Sequence, residues 1–445
     1  MQKYSAVHVH FIGICGSGMS VLAKYLIDLG FNVSGSDLAY SDTYARLEKL
    51  GAILYLKHNA KNVESADIVV VSSAISIDNV EYNRALFLKK PIFNRAELLA
   101  KIIKTFKHSI SVAGSHGKTT TTAMASHVLK VLNKKFTAFI GGEDSVLTNY
   151  QFSKNKNYVV SEICEYKNNF KWVNSEVAVV LNIDNDHLDY YKNLNNLKNA
   201  FFSFLNKAKY KVVNYDDVNL LDYKEKGVVS FAVKNKADFN AYNLKNVKGK
   251  FSFDCMLKNG DVINIKLNVL GYHNVYNALA IIAVFNGVYG FNKEIIKKGI
   301  ENFASIKKRF EFLGNVNGKN FYYDYCHHPK EIEATIKTYD EFIKDDYVLI
   351  FQPHTFSRTK LLFNDFIKVL KNKRIYIYKT YPAREFYDYN GSGLKLSRAI
   401  GCGYIKNRKT LETIVNTEKY TNNFIFIGAG DLYDIINQKI KNGLK

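Results

Sequence analysis

Residues 111–122 read Ser-Val-Ala-Gly-Ser-His-Gly-Lys-Thr-Thr-Thr-Thr, and the fold is read outward from them. The apolar run Ile110–Ala113 reads as a strand, Gly114-Ser115-His116-Gly117 as a tight turn, and Thr119 onward as the start of a helix. Strand, glycine loop and helix N-terminus together make an anion cradle. N–H groups point out of the turn, and the helix dipole adds partial positive charge. Lys118 would place a point charge on the outer phosphates of a nucleotide, and the Thr119 hydroxyl would ligate Mg²⁺. The loop is not a complete Walker A, because the first glycine of that pattern falls on Val112.

Upstream, Val7–Ile12 reads as a strand, followed by Gly13-Ile14-Cys15-Gly16-Ser17-Gly18, a helix over Met19–Leu29 and a second strand ending at Gly35-Ser36-Asp37. This is a β-α-β opening of the dinucleotide type, with an acid about twenty residues past the glycines. Cys15 stands where the middle glycine belongs, and Gly16 is placed to take over its work. The strand Ile68–Ser72 and its turn continue the rhythm to a linker at Lys101–Lys107. Downstream, strands end at Glu162 and Asn182, and residues 228–268 alternate apolar and polar around the hairpin turn Asn259-Gly260, which predicts an antiparallel flap. From Ser305, strands near Phe321–Tyr323, Tyr347–Phe351, Arg374–Tyr378 and Phe424–Ile427 alternate with helical stretches. The expected class is α/β in three domains. These are a Rossmann-like domain over 1–105, a P-loop ATPase-type, mostly parallel sheet with a small antiparallel flap over 106–303, and a second Rossmann-like domain over 304–445.

The net charge of +21 invites nucleic acid as a partner, but the lysines are spread along the chain and no recognised module accompanies them. The reading is no nucleic acid, with small anionic nucleotides favoured instead. No apolar run approaches the roughly 20 residues needed to cross a bilayer, and the N-terminus runs straight into a strand, so a cytoplasmic protein without membrane insertion is expected. Five scattered cysteines without CxxC spacing fit a reducing compartment and argue against a zinc site or a disulfide frame.

Glu162 and the pair Asp186-His187 follow strands beside the phosphate loop, so carboxylate and imidazole could hold a second Mg²⁺. Asn274 and Asn277 share a helical face that could read an adenine edge, although capping is the commoner use of Asn274. Asp324-Tyr325-Cys326-His327-His328-Pro329, Phe351-Gln352-Pro353-His354-Thr355-Phe356-Ser357-Arg358 and Tyr381-Pro382-Ala383-Arg384-Glu385 each join a strand end to a helix start, the edge where open α/β sheets bind ligands. The two adjacent histidines point in different directions, so positioning of substrate suits them better than a shared metal. Arg358 could hold a carboxylate bidentately.

Taken in order from about residue 8 to about residue 435, these motifs resemble the Mur ligases. Gly114–Thr121 is similar to that family's ATP loop, His10–Gly13 with Gly16–Ser20 to its uridine-nucleotide loop, Glu162-Ile163-Cys164-Glu165-Tyr166 and Asp186–Tyr191 to its metal motifs, and Gly428-Ala429-Gly430-Asp431 to its closing motif. The resemblance, to the alanine-adding type, implies ATP-dependent ligation of L-alanine to the lactyl carboxylate of UDP-N-acetylmuramate through an acyl phosphate, a step of peptidoglycan precursor synthesis. It implies ATP and Mg²⁺ as cofactors. Gly114, Ser115, His116, Gly117, Lys118, Thr119 and Thr120 would hold ATP phosphates, with Asn274 and Asn277 near adenine and Arg309 and Asp324 near ribose or phosphate. Thr119, Glu162 and His187 would hold metal. Gly13, Gly16, Ser17, Gly18, Met19, Asp37 and Ser72 would hold the sugar nucleotide, and His327 and Arg358 the alanine, with His327 a candidate base. The expected assembly is a monomer or weak homodimer. Two departures stand out: Cys15 in the uridine loop, and Thr355 where some members carry a second arginine. The carbamoylated lysine of the other Mur ligases has no clear counterpart.

Overall fold

The computed structural model describes residues 6–185, 188–383, 385–441 and 443. Short β-branched runs such as Ile68-Val-Val-Val71 and Val177-Ala-Val-Val180 have no helical period and become strands covered on both faces. The first sheet comprises β1 (His8–Ile12), β2 (Asn32–Ser36), β3 (Ile53–Tyr55), β4 (Ile68–Val71) and β5 (Ile92–Asn94), in the order β3-β2-β1-β4-β5 and parallel throughout. From β1 the chain winds outward through β2 and β3, then crosses back to the other side of β1 for β4 and β5, so the crevice at the carboxyl ends of β1 and β4 is the topological switch point.

The second sheet comprises β6 (His108–Ala113), β7 (Phe136–Asp144), β8 (Thr148–Gln151), β9 (Tyr158–Glu162), β10 (Val177–Val180), β11 (Tyr210–Asn214), β12 (Val228–Ala232), β13 (Phe239–Val247), β14 (Lys250–Met256) and β15 (Val262–Leu270). Its order is β15-β14-β13-β12-β11-β10-β6-β9-β7-β8. The predicted flap starts later than the alternation implied, because β12 pairs parallel with β11 (Val212↔Val229) and belongs to the main sheet. β13 in turn starts parallel to β12 (Phe231↔Phe239); the links from β13 to β14 (Lys248-Gly249) and from β14 to β15 (through Asn259-Gly260, with Gly260 at φ 87°) are so short that they permit antiparallel pairing alone. The third sheet comprises β16 (Glu311–Val316), β17 (Lys319–Asp324), β18 (Tyr347–Gln352), β19 (Ile375–Tyr378), β20 (Gly403–Ile405) and β21 (Asn423–Gly428), in the order β16-β17-β21-β18-β19-β20. β16 was not foreseen. It is a half-exposed antiparallel edge, broken by a register shift between Phe312 and Gly314, and so lacks a clean alternation.

The residues pack as two compact units: Met1–Tyr242 with Cys255–Ile263 and Tyr276–Asn302, and Asn243–Asp254 with Asn264–Val275 and Phe303–Lys445. The first two sheets share one core. Tyr25, on the helix Ser17–Asp28, meets Phe139 of β7 edge-on at 5.4 Å, and Leu99, Ile103 and Phe106 lie in the same buried cluster as Val159 and Phe204. In the second unit the strands alternate between two cores. Val348, Ile350, Phe424 and Phe426 face Leu432 and Ile436, while Leu349, Phe351, Ile425 and Ile427 face Ile332 and Phe366.

Candidate active site

Three adjacent parallel strands, β9, β6 and β10, frame the Gly114–Gly117 loop. Val112 of β6 is in register with Glu162 of β9, and Ala113 with Val180 of β10, so all three carboxyl ends open at one edge. Asn182, just past β10, clamps the loop: its carbonyl accepts from the Ser115 N–H (3.1 Å), and its side chain accepts from the His116 N–H (2.8 Å) and donates back to the His116 carbonyl (3.1 Å). Gly117 caps the helix Lys118–Val131 at φ 84°, and a Cβ there would meet the Asn277 Oδ1 at 2.7 Å. Asn277 thus stands against the loop. Asn277 belongs to the helix His273–Ile282, and Asn274 on that helix, grouped in the second unit, donates to the Leu270 carbonyl (2.7 Å), a backbone tie one turn back rather than the N-cap weighed as its commoner use.

Lys118 Nζ folds back onto the Gly114 and Ser115 carbonyls and lies 3.2 Å from Glu165 Oε2. Burial would lower the Lys118 pKa, but the Glu165 carboxylate, with Cys164 and Glu162, raises it well above the usual lysine range, so the ammonium is charged at all working pH. Beside it, burial and the Glu165 charge push the Cys164 thiol up to about 11. The Tyr191 hydroxyl fixes the Glu165 backbone carbonyl at 2.5 Å. Thr119 Oγ1 donates to Glu162 Oε2 at 2.7 Å. Two hard oxygen donors of neutral and anionic type are thereby adjacent, a donor set that fits Mg²⁺. Gly141, within β7, gives Glu162 its room: a Cβ there would fall 1.9 Å from Glu162 Oε1. A glycine inside a strand was the legible signal for that close approach. His187, with Asp186, and Arg384 lie outside the described residues.

The first-sheet loop is tied to β2 and the residue after it. Gly13 (φ 80°) and Ile14 donate to the Ser36 carbonyl (2.9 and 3.0 Å), and the Cys15 N–H donates to Asp37 Oδ2 (2.9 Å). Asp37 therefore braces the loop at the non-glycine position. Burial, with the Asp37 charge, pushes the Cys15 thiol up to about 11. Gly16 caps the helix and is followed by Ser17 and Gly18, whose N–H groups have no intrahelical acceptor. Met19 turns its side chain into the core (1% exposed) and bonds its N–H to Gly16, so only its position, not its side chain, belongs to the loop. Ser72 follows β4 and accepts from the Ala74 N–H at 3.4 Å.

In the second unit, β17, β21, β18 and β19 end side by side. His327 and His354 have ring centroids 5.8 Å apart, His354 stacks on Tyr381 (5.7 Å, 18°), and Arg358 Nη1 reaches His354 Nδ1 at 3.4 Å. Burial, then the Arg358 charge, holds the His354 pKa down at about 4, so this imidazole is neutral at pH 7. His327 Nδ1 lies 3.6 Å from Glu331, which also accepts from the His327 and His328 N–H groups. Thr355 is the N-cap of the helix bearing Arg358 and sits at φ 62°. Asp324 is 1% exposed; Thr335 donates to its Oδ2 (3.0 Å) and Arg309 Nη1 stands 3.9 Å from its Oδ1. Burial pushes its pKa up to about 7 against the opposing pull of Arg309 and Thr335. Glu165, Asn182, Gly141 and His354 were not singled out as site residues from sequence, since their partners are distant in the chain or lie on neighbouring strands.

Three family models match the chain in order: Mur ligase family, catalytic domain, over residues 8–107; Mur ligase middle domain over 112–285; and Mur ligase, glutamate ligase domain, over 308–418. The UDP-N-acetylmuramate–L-alanine ligase of Caldicellulosiruptor saccharolyticus is 38% identical over 95% of this chain and 95% of its own. The chain belongs to the Mur ligase family. A relative of the same name from Acetivibrio thermocellus is 41% identical over 85% of this chain and 82% of its own. The solved UDP-N-acetylmuramate-alanine ligase of Thermotoga maritima matches this Mur ligase with a TM-score of 0.82 and 29% identity over 98% of each chain.

Proposed function

We propose that this Mur ligase joins L-alanine to the lactyl carboxylate of UDP-N-acetylmuramate, converting ATP to ADP and phosphate, in peptidoglycan precursor synthesis. The observation that carries the reading is the pairing of a glycine phosphate loop, bearing Lys118 and Thr119 beside Glu162, with a second glycine loop at Gly13–Gly18 on the neighbouring sheet. One loop is built for a nucleoside triphosphate and the other for a sugar nucleotide. The relatives that bear this activity in their names are similar over nearly the whole chain, which favours alanine over the other amino acids of the family.

The muramate carboxylate attacks the γ-phosphorus of ATP, ADP leaves, and an acyl phosphate forms. The amine of L-alanine then attacks the acyl carbon, and phosphate departs from the tetrahedral intermediate. Lys118 neutralises charge gathering on the phosphoryl oxygens in the first step, where two anions must approach. It releases Glu165 and the loop carbonyls to do so. Mg²⁺, which Thr119, Glu162 and His187 would hold, supplies further charge on the phosphates when bound. In the second step Arg358 clamps the alanine carboxylate, and His327 orients or deprotonates the amine. The neutral His354 beside Arg358 adds no competing positive charge. Functionally the chain divides at 1–105 for the sugar nucleotide, 106–303 for ATP and 304–445 for the amino acid, and it works in the cytoplasm as a monomer or weak homodimer. No described helix is long and apolar enough to cross a membrane, and the five cysteines are free.

The test is phosphate release from ATP with each substrate omitted in turn. Turnover requires both UDP-N-acetylmuramate and L-alanine; equal turnover without the sugar nucleotide refutes the proposal.

A further inference from the structure

Glu81, on the helix Val80–Phe87, is a carboxylate with no exposed surface. Ser36 Oγ donates to its Oε2 at 2.5 Å, Asn62 Nδ2 to its Oε1 at 2.6 Å, and the Asn59 N–H to the same oxygen at 3.3 Å. His58 Nδ1 lies 2.8 Å from Oε2 and His10 Nε2 3.7 Å from Oε1. His10 is held in turn by Ser34 Oγ, which His8 also reaches, each at 2.7 Å. Burial pushes the Glu81 pKa up, but these contacts outweigh it and hold the group at about 2. A buried charge is a poor way to gain stability, since hydrocarbon of the same shape does as well, so a carboxylate with this many close partners is read by what it fixes.

It fixes Ser36. The hydroxyl of Ser36 is bound to Glu81 and lies 2.9 Å from His58 Nδ1, itself a partner of Glu81, and its carbonyl receives the N–H groups of Gly13 and Ile14. The next residue, Asp37, receives the N–H of Cys15. Three consecutive N–H groups of the glycine loop are thus bolted to the last residue of β2 and the one after it, and the first of those is bolted to Glu81. Ser17 and Gly18 then start the helix with their N–H groups free of intrahelical acceptors, as a diphosphate site needs.

We propose that Glu81 is a positioning residue for the sugar nucleotide: through Ser36 it holds the loop Gly13–Gly16 in the shape that receives the uridine diphosphate. This rests on the reading of that loop as the UDP-N-acetylmuramate site. Glu81 touches no substrate; it acts on the loop backbone, so its loss shows in sugar-nucleotide affinity and not in the ATP site on the second sheet.

The experiment is calorimetric titration of UDP-N-acetylmuramate, and separately of ADP, into the full-length parent, Glu81→Gln, Ser36→Ala and the double variant. Glu81→Gln and Ser36→Ala each weaken sugar-nucleotide binding by about 10-fold or more, the loss of one charge-assisted hydrogen bond. The double variant is no weaker than Glu81→Gln alone, because both cut one linkage. ADP affinity stays within about 2-fold of the parent, and kcat at saturating sugar nucleotide is retained. Ser36→Ala removes a single hydroxyl and leaves Glu81 its other donors, so it carries the test if Glu81→Gln does not fold. Sugar-nucleotide binding within about 2-fold of the parent in either variant overturns the proposal. An equal fall in ADP affinity also overturns it, by making Glu81 a general support of the fold. A parent that binds ADP but no UDP-N-acetylmuramate removes the reading of the loop itself, and this inference with it.

Discussion

Replacing Lys118 with alanine separates the two things this side chain does. Its side chain is 17% exposed and its partner, Glu165, only 1% exposed, so the change strands a carboxylate in the interior. Removing one partner of a buried pair costs about 3–5 kcal/mol. The lower end applies here, because Lys118 lies at an opening and water can enter the space it leaves. About 3 kcal/mol corresponds to a Tm about 5 °C lower in a unit of this size. The catalytic loss is separate: one electrostatic contact to the reacting phosphate is worth about 10²-fold or more in rate. Lys118→Ala/Glu165→Gln tells the two apart, since neutralising Glu165 removes the stranded charge. Thermal melting followed by circular dichroism, with phosphate release on the same samples, is the assay. The double variant recovers at least half of the lost Tm and none of the lost rate. Equal melting of the parent and Lys118→Ala, or a double variant as unstable as the single one, would refute the assignment of Glu165 as a buried counter-charge. A rate within a few-fold of the parent would show that Lys118 does not meet the reacting phosphate.

Arg358→Ala raises the KM for L-alanine by a factor set by about 2–5 kcal/mol, and the KM for ATP little, with Arg358→Lys recovering part; steady-state kinetics showing the reverse pattern would place Arg358 in another pocket. Gly141→Ala pushes the Glu162 carboxylate from Thr119, so the Mg²⁺ concentration needed for half-maximal activity rises while melting changes little; an unchanged requirement speaks against Glu162 as a ligand. The Asp324 pKa is raised from its ordinary 3.8 to about 7, so the native state binds the proton more tightly than the unfolded state. Its contribution is fully present below the unfolded value and is lost as pH rises through the folded one. Asp324→Asn therefore flattens the fall in stability between about pH 4 and 7, read by denaturant unfolding at several pH values; parallel curves for parent and variant would contradict this.

The sequence alone determined whatever depends on neighbours in the chain. The glycines of residues 114–117 and the following Lys-Thr mark a strand, a loop and a helix start from their own order, because backbone permissiveness and orphan N–H groups are local properties, whereas the clamp that Asn182 puts on the loop is not. The same holds for the β-α-β opening and for the strand ends carrying Asp324, Gln352 and Tyr378. The alternation over residues 228–268 misled at its start: period two is shared by parallel and antiparallel strands, and only the neighbour, β11, decided that β12 runs parallel. Asn274 illustrates the same limit, since its spacing permitted a cap and the fold gave it the Leu270 carbonyl. Tertiary structure decided which charges are paired and which are buried. Glu165 is 47 residues from Lys118, Asn182 is 66 from His116, and Glu81 collects Ser36, His58 and His10 from three separate segments. The raised pKa of Asp324 and the neutrality of His354 follow the same rule. Each depends on water excluded by strands that meet only once the sheet has formed, and desolvation has no signature in the order of residues along a chain.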